Sequence, residues 1–211
     1  MNHKFTSFAI SITVALVASY AHAGVGKVST PEVEQGIFEI EYNARRTSDD
    51  RRSLNNAQKH VMEAEYGFTD DWMVGLELIA NRSATSQFGL EAYGVETQYE
   101  MTQQSEWWLA SALKGEYVRA DNSRSPDDGE FKILLQRDEG SVRINANLEW
   151  KREFGNARDG GVGFETALRG LYRNNAYAAY GVEWHGEYGN LDNLSSPDRQ
   201  IHYLGPALKG K

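Results

Sequence analysis

Carboxylates recur two residues apart through the first half of this chain: Glu39 with Glu41, Glu63 with Glu65, then Glu77, Glu96 and Glu100. Bases join them in the second half, where Lys114, Lys132, Arg143, Lys151 and Arg169 lie among Glu116, Glu149, Glu165, Glu183 and Glu187. On an extended chain a spacing of two puts side chains on one face. These residues therefore form a charged wall, acidic in one half and mixed in the other. Such walls facing each other across a narrow space give a transverse field of the kind that selective pores use. If the charges pair, they close that space instead. His185, between Glu183 and Glu187, offers an imidazole and two carboxylates to a proton or a metal ion. A single His with acids two residues away is a common strand pattern, and no metal site is expected from it. Ser195, Ser196, Asp198 and His202 contain hydrolase residue types without a nucleophile motif, so no enzymatic activity and no cofactor is expected. Arg45, Arg46, Arg51 and Arg52 are suited to lipopolysaccharide phosphates, but Asp49 and Asp50 among them favour a solvated loop.

The elements that carry these residues alternate apolar and polar with period 2. In the register opposite the charges stand Phe38, Ile40, Tyr42, Leu76, Leu78, Val95, Leu109, Leu113, Ile133, Leu135, Ile144, Leu148, Leu168 and Val182. That register carries no Asp, Glu, Lys or Arg within the strand bodies as read from the sequence. Ten strands are expected. The first is Gly36 to Ala44, and the next two run down to and up from a tight turn at Thr69-Asp70-Asp71. Further short turns are expected at Thr102 to Glu106, Asp138 to Gly140 and Arg173 to Asn175, alternating strictly with longer polar loops. Gly89-Leu90-Glu91 breaks register and predicts a bulge. Arg119 to Asp128 reads as loop throughout, and the last strand as a short one from Gln200 to Leu204. Aromatic residues collect at the strand ends: Tyr66, Phe68, Trp72, Tyr99 and Trp107 by the short turns, Tyr42, Tyr117, Trp150 and Trp184 at the other end.

Residues 1–23 have the form of a secretory signal: Lys4, an apolar run from Phe8 to Ala18, and an Ala21-His22-Ala23 cleavage site. Residues 24–35 follow as a periplasmic lead without strand pattern, and 36–211 as one barrel. There is no cysteine, so no disulfide and no thiolate site. Thirty acidic against 22 basic residues, a formal charge of −8, argue against nucleic acid as a partner. The mean hydropathy is negative, as suits a barrel whose strands turn half their residues to a polar interior. The expected fold is thus all-β, an antiparallel up-and-down transmembrane β-barrel of about ten strands with its apolar face in lipid. A charge on that face would cost on the order of 2–4 kcal/mol near the midplane. The alternative is a soluble, lipocalin-like barrel with the same alternation turned inside out.

Three segments carry a resemblance: Val33-Glu34-Gln35-Gly36 leading into Phe38-Glu39-Ile40-Glu41-Tyr42, the turn Tyr66-Gly67-Phe68-Thr69-Asp70-Asp71-Trp72, and Leu204-Gly205-Pro206. With them the chain resembles small Gram-negative outer-membrane barrels of the MetA-pathway phenol-degradation, transporter-like type. The resemblance implies a cell outer-membrane location and a part in moving small molecules. Outer-membrane lipid, lipopolysaccharide and the barrel-assembly machinery are then the expected partners, with small solutes as cargo. Barrels of this type end in an aromatic residue, whereas this sequence ends Ala207-Leu208-Lys209-Gly210-Lys211. The expectation drawn from that is a further C-terminal hairpin, twelve strands in all. Within ten strands, Gln200 to Leu208 would have to pair with Phe38 to Ala44 across an imperfect seam. Two functions are expected from different classes: a passive channel for small solutes with an acidic-biased lumen, or a structural and interaction protein with a salt-bridged, plugged lumen.

Overall fold

The computed structural model describes residues 10–16, 27–47, 50, 52, 55–84, 86–122, 125–155, 158, 160–173 and 178–210; for 10–16 it describes the backbone alone. Nearly everything in it is strand. The order is β1 (Ile10–Leu16), β2 (Phe38–Arg46), β3 (Gln58–Gly67), β4 (Trp72–Arg82), β5 (Gly89–Thr102), β6 (Ala110–Ala120), β7 (Asp127–Glu139), β8 (Val142–Phe154), β9 (Gly163–Arg173), β10 (Ala178–Asn190), the two-residue β11 (Asn193–Leu194) and β12 (Ile201–Gly210). From β2 to β10 each strand pairs antiparallel with the next, and β12 returns along β10. Ten long strands thus form one up-and-down antiparallel sheet, the all-β class expected. The alternation dictates this: β-branched and aromatic residues on one face and long polar ones on the other suit a pleated strand.

Burial follows the same period. Along β5, Ala92, Gly94, Glu96, Gln98 and Glu100 are buried, while Tyr93, Val95, Thr97, Tyr99 and Met101 are exposed. The buried face is concave and carries the charges; the convex face carries the aliphatic and aromatic residues. Leu76 is 62% exposed and Val182 56%. Glycines on the concave face make room for the acids. A Cβ on Gly75 would lie 2.5 Å from Glu96 Oε1, and one on Gly94 would lie 3.1 Å from Glu77 Oε2.

The aromatic groups form rows at both ends of the strands. By the turn ends Phe68 tilts against Trp72 at 5.5 Å and Trp72 meets Tyr99 edge-on at 6.1 Å. At the other end Phe131, Trp150, Phe164 and Tyr188 run across four strands at 5.5–5.7 Å. The bulge at the start of β5 is present, with the pairing of β4 and β5 shifting between Ile79 and Ala80 around Glu91.

Several expectations need correction. Leu109 does not face outward; it is buried at 9% exposure. The 103–109 connection folds as a turn, tied by Thr102 Oγ1 donating to the Leu109 carbonyl at 3.1 Å, and β6 begins only at Ala110. That connection is also no shorter than those at 83–88 and 121–126, so the alternation of short and long connections is not strict. Arg119 to Asp128 is not loop throughout: β6 runs to Ala120 and β7 begins at Asp127. Asp127 accepts from Tyr117 at 2.8 Å and from the Ala120 N–H at 2.9 Å, which gives the carboxylate a place inside the ladder. The strands as formed bring Arg46, Arg82, Arg119, Asp127, Arg137, Glu139 and Arg152 into the outward register, all within three residues of a strand end. β12 runs through Pro206 to Gly210, as an edge strand with one open side can.

The sheet is not closed. Among the described residues β12 pairs with β10 and not with β2, so the seam between Gln200–Leu208 and Phe38–Ala44 is not formed. The free edge of β2 instead holds β1, parallel, with Ile10 opposite Phe38 and Leu16 opposite Ala44. The expected cleavage site at Ala21-His22-Ala23 lies outside the described residues, as does most of the Arg173 to Asn175 turn.

Candidate functional site

The 24–35 lead has no alternation because it is not part of the sheet. Its described portion, from Lys27, does not hang below the strands but crosses their concave face. Val28 and Ser29 are 3% and 5% exposed. The backbone is held from several sides. Gln98 Nε2 on β5 donates to the Thr30 carbonyl at 3.1 Å, and the Val33 N–H donates to Glu100 Oε2 at 2.9 Å. On β8 the Asn147 amide, in the orientation that satisfies both its ends, donates to the Ser29 carbonyl at 3.2 Å and accepts from the Ser29 N–H at 3.0 Å. Glu32 reaches β7 and β8, accepting from Gln136 Nε2 at 2.7 Å and from Arg143 Nη2 at 2.9 Å. Where the lead joins β2, Gly36 N–H donates to the Gly67 carbonyl at 2.7 Å. A Cβ on Gly67 would collide with the Glu34 carbonyl, so that position admits only glycine. One strap touching β2, β3, β5, β7 and β8 requires a sheet that wraps around it.

Lys27 is the lead's chemical end. Its ammonium pairs with Glu41 on β2 and, at 2.9 Å and 3.7 Å, with Glu63 and Glu65 on β3. Lys114 on β6 lies beside it, 2.5 Å from Glu96 and 3.6 Å from the same Glu65 oxygen. Burial alone would lower the pKa of Lys27, but the carboxylates of Glu63, Glu65 and Glu41 outweigh it and raise the ammonium well above its ordinary value. The acid-rich first half of the sequence is therefore supplied with charge from a segment outside the strands. The cavity left beside the lead is about 250 Å³ and is lined by Glu39, Glu41, Glu65, Gln98, Lys114 and Lys209 among others.

The remaining charges on the concave face pair mostly between neighbouring strands, not across the interior. Lys132 lies 2.9 Å from Glu130, 3.3 Å from Glu149 and 3.9 Å from Glu116. Lys151 lies 3.2 Å from Glu130 and 3.6 Å from Asp128. Asp138 accepts from Arg143 Nε at 2.8 Å and from Arg173 Nη1 at 2.9 Å. Arg169 pairs with Glu183 at 3.5 Å, and His185 Nε2 lies 3.6 Å from the same residue. Glu165, His185 and Glu187 line a small adjoining pocket. Glu77 keeps one buried oxygen, Oε2, without a hydrogen-bond partner. Among the described residues the group of acids and imidazoles that converges within 4.8 Å is Glu63, Glu65 and Glu96, not the His185 group.

The loop residues with hydrolase chemistry do not assemble. Ser196 donates to Asp198 and holds that carboxyl below its usual range, while His202 stacks on Trp184 with centroids 5.6 Å apart. Arg46 hydrogen-bonds Asn56 in the β2–β3 loop, and Arg51 lies outside the described residues. His60 faces the convex side, hydrogen-bonded to Tyr42 at 2.5 Å and edge-on to Phe88 at 4.9 Å.

The sequence reading gives no role to Lys27, Glu32, Gln98, Gln136 or Asn147. The neutral amides sit in the inward register and were within reach of the alternation. For Lys27 the one signal was an imbalance: strands with many acids and few bases, preceded by a lysine. No family model matches this chain, and no curated protein and no solved structure matches it either.

Proposed function

We propose that this chain is an outer-membrane β-barrel whose interior is held shut by its own N-terminal lead, and that small solutes pass when the lead leaves. The seating of Lys27 to Gln35 on the concave face carries the reading. The lead is fixed by side chains and backbone groups of strands far apart in the sheet, and apart from its junction with β2 it adds no strand to the ladder. A segment held that way comes out without breaking the sheet. The membrane location is supported by the convex face: apolar and aromatic along the strand bodies, with its charged residues, Asp127 and Glu139 as well as the arginines, only within three residues of strand ends, at the level of the interface.

A second reading has its own support. The concave charges are paired strand by strand, which favours a permanently filled interior and a structural or binding role for the loops. Planar-bilayer recording separates the two. The folded protein should be closed most of the time. The double variant Lys27→Ala, Glu32→Ala, which releases both ends of the lead, should be open far more often. Removing one partner of a fully buried ion pair costs on the order of 3–5 kcal/mol; Lys27 is part-buried and Glu32 half exposed, so the closed-to-open ratio should fall about tenfold or more. Folding of the variant is checked by heat-modifiable mobility on gels. A folded variant as silent as the parent protein would favour the filled interior.

A further inference from the structure

We infer that Arg46, Arg82, Arg119 and Arg152 form a binding row for the phosphate groups of anionic lipid headgroups, along one rim of the wall. This deepens the membrane reading by naming the lipid chemistry that one leaflet presents. It rests on that reading and is independent of the gated passage.

Their placement is the first observation. The four arginines lie on β2, β4, β6 and β8, which run in the same direction, and each is within two residues of the end of its strand. Arg46 and Arg82 both stand beside Gln58 of β3, in one row of the ladder. An arginine on alternate strands gives a spacing of roughly 10 Å, twice the distance between neighbouring strands. All four are in the outward register, where Arg46, Arg119 and Arg152 are exposed and Arg82 half-buried. On that face Tyr117 directly precedes Arg119, and Trp150 directly precedes Arg152. Aromatic residues at strand ends mark the interface, so side chains one position further out reach headgroup depth.

The chemistry is the second. Among the described residues the lysines of the strands, Lys59, Lys114, Lys132, Lys151 and Lys209, all stand in the inward register, whereas the fixed positive charges of the outward register are all arginine. A planar guanidinium gives paired N–H groups to two oxygens of one phosphate, which an ammonium cannot do. Nor are these charges spent within the protein. Arg46 gives Nε and Nη2 to the neutral Asn56 Oδ1, the first at 3.1 Å, and the Arg152 guanidinium lies 5.8 Å over the Phe154 ring. None of the four forms an ion pair with a carboxylate among the described residues. Asp127, the acid of the outward register at this rim, already has a donor on each oxygen, from Tyr117 and from the Ala120 N–H. The turn rim is different. Its outward charges are Arg137 and Glu139, and they pair with each other at 2.7 Å. One rim is therefore cationic and the other neutral, which fits a bilayer whose anionic headgroups lie in one leaflet.

The test is electron spin resonance on the full chain reconstituted in phosphatidylcholine vesicles, with spin-labelled lipids as probes and the motionally restricted fraction as the measure of lipid held at the wall. Labelled phosphatidic acid should associate about fivefold or more over labelled phosphatidylcholine, the size that one arginine near an anionic headgroup carries. Labelled stearate at alkaline pH, a carboxylate with a single charge, should associate less than phosphatidic acid, whose phosphate has more charge and more acceptor oxygens. Arg46→Gln, Arg82→Gln, Arg119→Gln and Arg152→Gln together should bring phosphatidic acid within about twofold of phosphatidylcholine. Arg137→Gln, at the other rim, should leave the preference unchanged. If the fourfold variant lacks heat-modifiable mobility and so has not folded, the pair Arg119→Gln, Arg152→Gln must lower the preference instead. A preference that survives these substitutions, or stearate held as well as phosphatidic acid, overturns the proposal. A chain that floats with no vesicles of any composition overturns the membrane reading and this proposal together; one that floats and shows no preference for phosphatidic acid overturns this proposal alone.

Discussion

At the scale of single residues, the convex and concave faces make opposite demands, and one substitution tells a lipid-facing surface from a wet one. Leu76 sits at the middle of β4 and is 62% exposed. On a soluble barrel Leu76→Arg would change stability by no more than about 0.5 kcal/mol, as surface substitutions do. Facing the hydrocarbon midplane, it should cost about 2–4 kcal/mol. Equilibrium unfolding in lipid vesicles measures the difference, and a neutral effect would argue for a soluble barrel. Lys27 makes the second residue-level prediction. A pKa raised in the docked state means its contribution is fully present below the ordinary lysine value of about 10.4 and is lost only as pH rises through the higher docked value. A nitroxide on a Glu34→Cys variant, at an exposed position of the lead, should therefore stay immobile through that ordinary value and loosen only above it. Loosening near neutral pH would show that other groups hold the lead.

At the scale of elements, the lead and the β3–β4 turn depend on each other. Gly36 and Gly67 exchange backbone hydrogen bonds with the chain opposite, and Gln35 Nε2 donates to the Phe68 carbonyl at 3.1 Å. Gly67 sits where any side chain meets the Glu34 carbonyl. Gly67→Val should displace the lead without interrupting the β3–β4 ladder, because valine favours strand. The expected outcome is a folded, heat-modifiable protein whose lead is cut by trypsin at least about tenfold faster, in line with proteolysis that tracks the open population. A lead as resistant as the parent's would mean that its grip lies in the contacts from Lys27 to Val33 and not at the Gly67 junction. The bulge at Glu91 was legible in advance because Gly89-Leu90-Glu91 broke the alternation. The burial of Leu109 was not, since a turn held by a hydroxyl-to-carbonyl bond leaves no mark on periodicity.

At the scale of the whole molecule, the two edges of the sheet set the architecture. β12 pairs along β10, and β2 holds the parallel β1 on its outer side. Edge strands present unpaired backbone groups, and in hydrocarbon each such group costs several kcal/mol. If the chain sits in a bilayer, removing residues 1–23 should free the outer side of β2 to meet β12, and amide exchange in those two strands should then be as slow as in β4 to β8, which have partners on both sides. Markedly faster exchange in β2 and β12 would show that the edges stay apart and would count against a membrane barrel.

The sequence by itself determined the ten long strands, their order and, Leu109 apart, the face that the side chains of the strand bodies take, though not where β6, β7 and β12 end, because these follow from a period of two residues and turn signals between runs. It determined, too, that one face is charged and the other apolar. It did not determine which charges pair. Lys132 finds Glu130 and Glu149 because β6, β7 and β8 lie side by side in one register, and that register is set by the whole sheet. Nor did it place the lead. Lys27 meets Glu63 across 36 residues of chain, and Glu32 meets Arg143 across 111. Contacts at such separations have no local pattern. They exist because a curled sheet gathers acids from several strands into one low-dielectric space, where a single base from outside the strands is held more strongly than it would be in water.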